Sequence, residues 1–190
     1  VEFLCVNFLF PEYDIWTQFV TDMYTAALDA DCLDNSHPIE VPVNHPSEID
    51  EIFDEISYNK GASVIRMLHN YLGDDDFRKG MNIYLKKYQY LNAVTENLWE
   101  CLEEASKKPV GNIMRTWIKQ MGFPKVRIAK NVQEENGRRL VLEQTKFTAN
   151  GNVDEKSFWL IPVTISTKKS SNAFTTVLDQ KETEVFIEGV

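Results

Sequence analysis

The sequence is short of the features that would place it quickly. Its 190 residues hold only three cysteines, Cys5, Cys32 and Cys101. They are odd in number, widely spaced and form no C-x-x-C pair, so a disulfide framework is not expected. No asparagine opens an N-x-Ser/Thr sequon, which removes one sign of secretion. A reducing, cytoplasmic setting is the expectation. Positive charge is scarce as well: 20 Lys and Arg stand against 29 Asp and Glu, a net charge of −9. A nucleic-acid module needs a basic face, and that class is set aside. No membrane span is visible. The apolar opening, residues 1–10, carries Glu2, stops at Pro11 and has no basic flank, so it is too short to cross a bilayer and unlike a signal peptide. It lacks an initiator Met and reads as the last turns of a buried helix whose beginning is missing.

Chemistry-bearing motifs are equally sparse. There is no H-E-x-x-H, no Glu-x-x-His and no Gly-x-Ser-x-Gly elbow. His37 and His45 sit in a loop and His69 on a later helix, and ordinary hydrogen-bonded histidines account for all three better than a zinc site does. Gly137, Gly151 and Gly189 are isolated turn residues and make no phosphate-cradling loop. No metal ligand set is predicted within the chain.

What is present is a strong hydrophobic pattern, with 43% hydrophobic and 12% aromatic residues. Ile15, Trp16, Phe19, Val20, Met23, Tyr24 and Ala27 recur at helical spacing. A loop with Pro38, Pro42 and Pro46 follows, and Ser47-Glu48-Ile49-Asp50 reads as a capping box. Gly61, Val64, Ile65, Leu68, Tyr71 and Leu72 share one helical face that ends at Gly73. Asp74, Asp75 or Asp76 is expected to cap the next helix, whose stripe is Phe77, Met81, Tyr84, Leu85 and Tyr88. Thr95 starts another, with Leu98, Cys101, Leu102 and Ala105 facing inward. Pro109 suits the first turn of a last helix carrying Val110, Ile113, Met114, Trp117 and Ile118. At Gly122-Phe123-Pro124 the period changes from 3.6 to 2. Val126 and Ile128, Leu140 and Leu142, the series Trp159, Ile161, Val163, Ile165, then Val177 and Val185-Phe186-Ile187 mark about five short strands. Residues 133–139 and 168–172 make turns. The expected class is α+β, with a helical unit over 1–123 and an antiparallel β-sandwich over 124–190.

Two groups of side chains invite a catalytic reading. Asp50, Glu51, Asp54 and Glu55 could form an acid/base site, but an acidic first turn favoured by the helix dipole explains them more simply. Tyr58 precedes Gly61-Ala62, where small residues let a helix pack closely, and physics alone favours a tyrosine that buries its ring and bonds its hydroxyl locally.

Longer runs alter that balance. Phe10-Pro11-Glu12-Tyr13-Asp14-Ile15-Trp16-Thr17-Gln18-Phe19-Val20, Asn35-Ser36-His37-Pro38-Ile39, and His45-Pro46-Ser47-Glu48-Ile49-Asp50-Glu51-Ile52-Phe53-Asp54 resemble the aminopeptidase N family of zinc aminopeptidases. So do Ile56-Ser57-Tyr58-Asn59-Lys60-Gly61-Ala62-Ser63-Val64-Ile65-Arg66-Met67-Leu68 and Trp117-Ile118-Lys119-Gln120-Met121-Gly122-Phe123-Pro124. The match is dense to about residue 124 and thinner beyond.

The resemblance implies that residues 1–123 are the C-terminal half of a thermolysin-like catalytic domain and that 124–190 are the small β-sandwich after it. It implies that Tyr58 is the catalytic tyrosine, whose hydroxyl stabilises the oxyanion of the tetrahedral intermediate. A phenol, with a reference pKa of about 10, is protonated near neutrality and can donate such a bond. The zinc ligands, the general base and the strand that holds the substrate amine are implied to lie before Val1, with Glu2 matching a later glutamate of the ligand helix. Peptide substrates and the remainder of the parent enzyme are the implied partners. Residues 1–190 alone are expected neither to bind stoichiometric zinc nor to turn over peptides. The alternative is a truncated, inactive homologue that serves as an interaction module through its β edge strands.

Overall fold

The structure is a computed structural model and describes residues 2–168 and 174–189. Helix α1 (Glu2–Leu9) turns at Pro11–Tyr13 into α2 (Ile15–Gln18), a π-helical stretch at Phe19–Tyr24, and α3 (Thr25–Asp31). A long loop with 3₁₀ turns at Pro46–Glu48 and Asp50–Ile52 leads to a second π-helical turn, Ile56–Lys60. That turn runs straight into α4 (Gly61–Leu72), which is followed by α5 (Asp74–Lys87), α6 (Thr95–Ser106) and α7 (Val110–Ile118). Five strands follow among the described residues: β1 (Pro124–Glu134), β2 (Gly137–Lys146), β3 (Ile161–Ile165), β4 (Phe174–Leu178) and β5 (Glu182–Glu188). The class is α+β, as the change of period at residue 124 predicts.

All strand pairs are antiparallel. One sheet has the order β1-β2-β5 and the other pairs β3 with β4. The β1-β2 ladder runs from Pro124↔Lys146 to Glu134↔Gly137, so the predicted turn over 133–139 contracts to Glu135 and Asn136. The predicted turn over 168–172 lies, except for Lys168, outside the described residues.

Two apolar clusters hold the chain together. Val64, Leu68, Leu72, Phe77, Trp99, Leu102, Val110, Met114 and Ile118 pack among the helices, while Leu140, Leu142, Trp159, Ile161, Leu178, Val185 and Ile187 pack between the sheets. Trp117 of α7 packs against both clusters. Its indole Nε1–H donates to the Leu160 carbonyl at 2.9 Å, and Gln120 Nε2 donates to the Phe158 carbonyl at 2.7 Å. Between the sheets, buried Gln144 donates to the carbonyls of Trp159 and Gln180 and accepts the Trp159 amide, so its polar atoms are satisfied. Gly80 lets α5 lie against α6: a Cβ there would come within 2.6 Å of Leu102 Cδ2 and 2.9 Å of Leu102 Cα.

Several local expectations are corrected. Ser47 does not open a capping box. His45 occupies the cap instead, its Nδ1 accepting the Ser47 amide, because the turn beginning at Pro46 is 3₁₀ and too short for a reciprocal pair. Gly73, with φ +87°, precedes α5, and Asp74, Asp75 and Asp76 form its first turn without capping it. Thr95 is the first residue of α6, as expected, while the cap position falls on Val94, whose amide donates to Asn97 Oδ1 at 3.0 Å. The stripe from Ile15 to Ala27 buries only Phe19 and Ala27, and Val20 and Tyr24 of the π-helical stretch are exposed. Helix α1 buries no residue; Phe8, Leu9 and Phe10 are exposed. A Cβ on Gly61 would meet nothing within 4 Å, so the close packing expected there is not made within this chain.

Candidate functional site

Tyr58 lies in the π-helical turn Ile56–Lys60. Single-turn π segments widen the helix by one residue and are frequent at functional sites. The turn begins at Asp54, whose Oδ1 accepts the amides of both Ile56 and Ser57 at 3.0 Å. The Tyr58 amide donates to the Asp54 carbonyl at 3.1 Å. This is helix N-capping by a carboxylate, which satisfies free amides and complements the helix dipole. Asp54 is thus the acid of the 50–55 group that caps the helix, Glu55 accepts from Asn59 Nδ2 within the same turn, and Asp50 and Glu51 lie in the preceding 3₁₀ turn.

The other Asp54 oxygen, Oδ2, is 2.7 Å from His37 Nε2, and His37 Nδ1 is 2.7 Å from the Pro38 carbonyl. Both partners are acceptors, so the charged imidazole, with both ring nitrogens donating, is the form that satisfies both contacts. Burial works against that charge, but the bonds to Asp54 and the Pro38 carbonyl outweigh it and raise the His37 pKa above 6.5. Burial likewise raises Asp54, yet the Ser57 amide, His37 and the Ile56 amide together bring it below 3.8.

At the far end of the turn, Lys60 is buried. Its Nζ sits 2.8 Å from Asp31 Oδ2 and donates to the carbonyls of Gln120 and Gly122 at 3.2 and 3.1 Å. Asp31 Oδ1 accepts the Gly122 amide at 2.8 Å and the Ser36 hydroxyl at 2.6 Å. Burial lowers the Lys60 pKa, and the facing Asp31 opposes that shift. The node ties α3, the Tyr58 turn and the α7–β1 junction into one unit.

Between these anchors the Tyr58 side chain faces outward. It is 55% exposed, its ring meets Phe53 edge-on at 5.2 Å, and its hydroxyl has no hydrogen-bond partner among the described residues. A ring buried for packing would look different. Sequence reasoning singled out Tyr58 but missed Asp31 and Lys60. One signal was available: Lys60, Val64, Leu68 and Leu72 are spaced by four, so a lysine heads the buried row of α4.

Among the described residues no group of three or more His, Cys, Asp or Glu could hold a metal ion. The histidines are engaged locally: His37 with Asp54, His45 with Ser47 Oγ at 2.8 Å, and His69 with Asp74 Oδ1 at 2.8 Å. The described side chains therefore do not fit a zinc site. Cys101 is buried, and burial raises its thiol pKa, as suits a small hydrophobe. Among the described residues no helix is long and apolar enough to cross a membrane.

The sequence that forms the helices and the Tyr58 turn matches a known family. The family model for the peptidase family M1 domain matches residues 1–117, and the chain belongs to that family. Among its relatives, aminopeptidase M1-D of Oryza sativa subsp. japonica is 49% identical over 165 residues, covering 87% of this chain and 18% of the rice protein. Puromycin-sensitive aminopeptidase of Caenorhabditis elegans is 42% identical over 193 residues, covering 100% of this chain and 20% of the worm protein. Alanine/arginine aminopeptidase of Saccharomyces cerevisiae is 39% identical over 177 residues, covering 93% of this chain and 20% of the yeast protein. The chain thus spans about a fifth of the length of these relatives.

Proposed function

We propose that this chain is part of a zinc-dependent aminopeptidase that removes N-terminal residues from peptides, and that Tyr58 is its oxyanion donor. Residues 1–123 are then the C-terminal half of a thermolysin-like catalytic domain and 124–190 a β-sandwich domain. The observation that carries the reading is the outward phenol with an unengaged hydroxyl, borne on a helical turn held at both ends, in a chain of peptidase family M1. The aminopeptidase names of the relatives support the substrate class.

The chemistry assigned to the chain is one hydrogen bond. As the scissile carbonyl becomes tetrahedral its oxygen gains charge, and a phenol already in place donates to that oxygen without reorganising. One such donor in a dry site contributes on the order of 3 kcal/mol to the transition state. Zinc ligands, general base and amine-binding residues are assigned to the parent enzyme before Val1, which makes that remainder the chain's obligatory partner. A cytoplasmic role in peptide catabolism accompanies the proposal.

The test is cleavage by the intact enzyme of a peptide offered with a free and with an acetylated N-terminus. Sequential release of single residues from the free form alone is expected. Cleavage of internal bonds in the acetylated peptide would overturn the assignment.

A further inference from the structure

On its N-terminal side the Tyr58 turn is held by the Ser57 hydroxyl, which donates to the Ile52 carbonyl, and by a chain of three further groups. The Pro38 carbonyl fixes His37 Nδ1, His37 Nε2 meets Asp54 Oδ2, and Asp54 Oδ1 takes the amides of Ile56 and Ser57. The Tyr58 amide bonds the Asp54 backbone carbonyl, so the residue that carries the phenol hangs directly from this cap. His37 and Asp54 come from separate parts of the loop preceding the turn, and each is only half-buried. Neither joins the main apolar clusters. A pair placed this way contributes little packing, and its geometric effect falls on the first turn of the helix that bears Tyr58.

We infer that His37 and Asp54 form a positioning pair that sets the direction of the Tyr58 hydroxyl toward the reacting oxygen. Neither touches substrate. Asp54 acts through the two amides it holds, and His37 acts by keeping the Asp54 carboxylate in the one rotamer that reaches both amides. The inference rests on the proposed oxyanion role of Tyr58. A shift of about 1 Å in a donor is enough to lower a rate on the order of 100-fold, so a loosened cap has a catalytic readout.

The experiment is a double-mutant cycle in the intact enzyme with Asp54→Ala and Tyr58→Phe, reading kcat, KM, zinc content and melting temperature. Asp54→Ala is expected to lower kcat about 10-fold or more with zinc content kept and KM moved about 3-fold at most. In the Tyr58→Phe background the same substitution is expected to change kcat less than about 2-fold, because the group it positions is gone. Asp54→Asn, which keeps an acceptor for the two amides, should recover part of the rate, and His37→Gln should lose less than Asp54→Ala. If Asp54→Ala fails to fold, the same cycle run with His37→Gln and Tyr58→Phe decides the matter: a kcat loss that disappears in the Tyr58→Phe background supports the positioning pair, and an equal loss in both backgrounds overturns it. Equal losses from Asp54→Ala with and without the Tyr58 hydroxyl overturn the positioning role while leaving the proposed function standing. An unchanged kcat for Tyr58→Phe alone overturns both.

Discussion

Lys60 Nζ lies 2.8 Å from Asp31 Oδ2, and the two side chains expose only 6% and 2% of their surface. Taking either charge out of water is expensive, and the pair is tolerated because the remaining donors and acceptors are used by Gln120, Gly122 and Ser36. Lys60→Met leaves a buried carboxylate without its cation and is expected to destabilise the enzyme by about 3–5 kcal/mol. Adding Asp31→Asn removes that orphaned charge yet keeps an acceptor for the Gly122 amide, so the double variant should regain part of the loss. Thermal unfolding of the intact enzyme reads both. Strictly additive losses would show that the two groups do not act as a pair.

The His37–Asp54 pair predicts a pH window. His37 has its pKa raised in the fold, so its contribution is complete below its unfolded value of 6.5 and is lost as pH rises through the raised folded value. Asp54 is lowered, so its contribution is present above 3.8 and is lost as pH falls through the depressed folded value. Stability from the pair is therefore greatest between those two ordinary values. Melting temperature followed from about pH 5 to about pH 9, on either side of the ordinary His value of about 6.5, should decline on the alkaline side. The part of that decline owed to the pair should vanish in His37→Gln; an identical alkaline slope in the variant contradicts the assignment.

Gly80 supplies a steric prediction. Alanine is the better helix former by about 1 kcal/mol. At this position, however, the added methyl would meet Leu102 at 2.6 Å and 2.9 Å, the nearer atom in a fully buried side chain and the farther one in the backbone. Gly80→Ala is expected to lower stability by about 1–3 kcal/mol as α5 and α6 are forced apart. Denaturant unfolding measures it, and a net gain in stability would mean that the interface relaxes freely.

Much of the fold was legible, and the reasons differ by element. Helix α4 announces itself through Val64, Leu68 and Leu72, because a row spaced by four is both the buried face and the sequence signal. The strands around Leu140, Leu142, Val185 and Ile187 follow from alternation for the same reason. The π-helical stretch at Phe19–Tyr24 was hidden, since one extra residue in a turn leaves no hydrophobic mark yet rotates everything after it. The Asp31–Lys60 ion pair was hidden because its partners are distant in sequence and meet only after the chain packs. Asp54 reads as part of an acidic first turn and is found as the cap of the helix that bears Tyr58, since Asp suits both places and local sequence does not choose between them. Tyr58 is the reverse case. Its surroundings pointed to a buried structural ring, and only the family resemblance pointed to an outward donor.

The most direct test of the account is the kcat of Tyr58→Phe in the intact enzyme on a peptide substrate. The substitution removes one hydroxyl, which bonds nothing among the described residues, and keeps the ring that meets Phe53. A contact made in the transition state alone predicts kcat reduced about 10²–10³-fold with KM little changed and zinc retained. A kcat within about 2-fold of the parent, with zinc retained, would contradict the central claim.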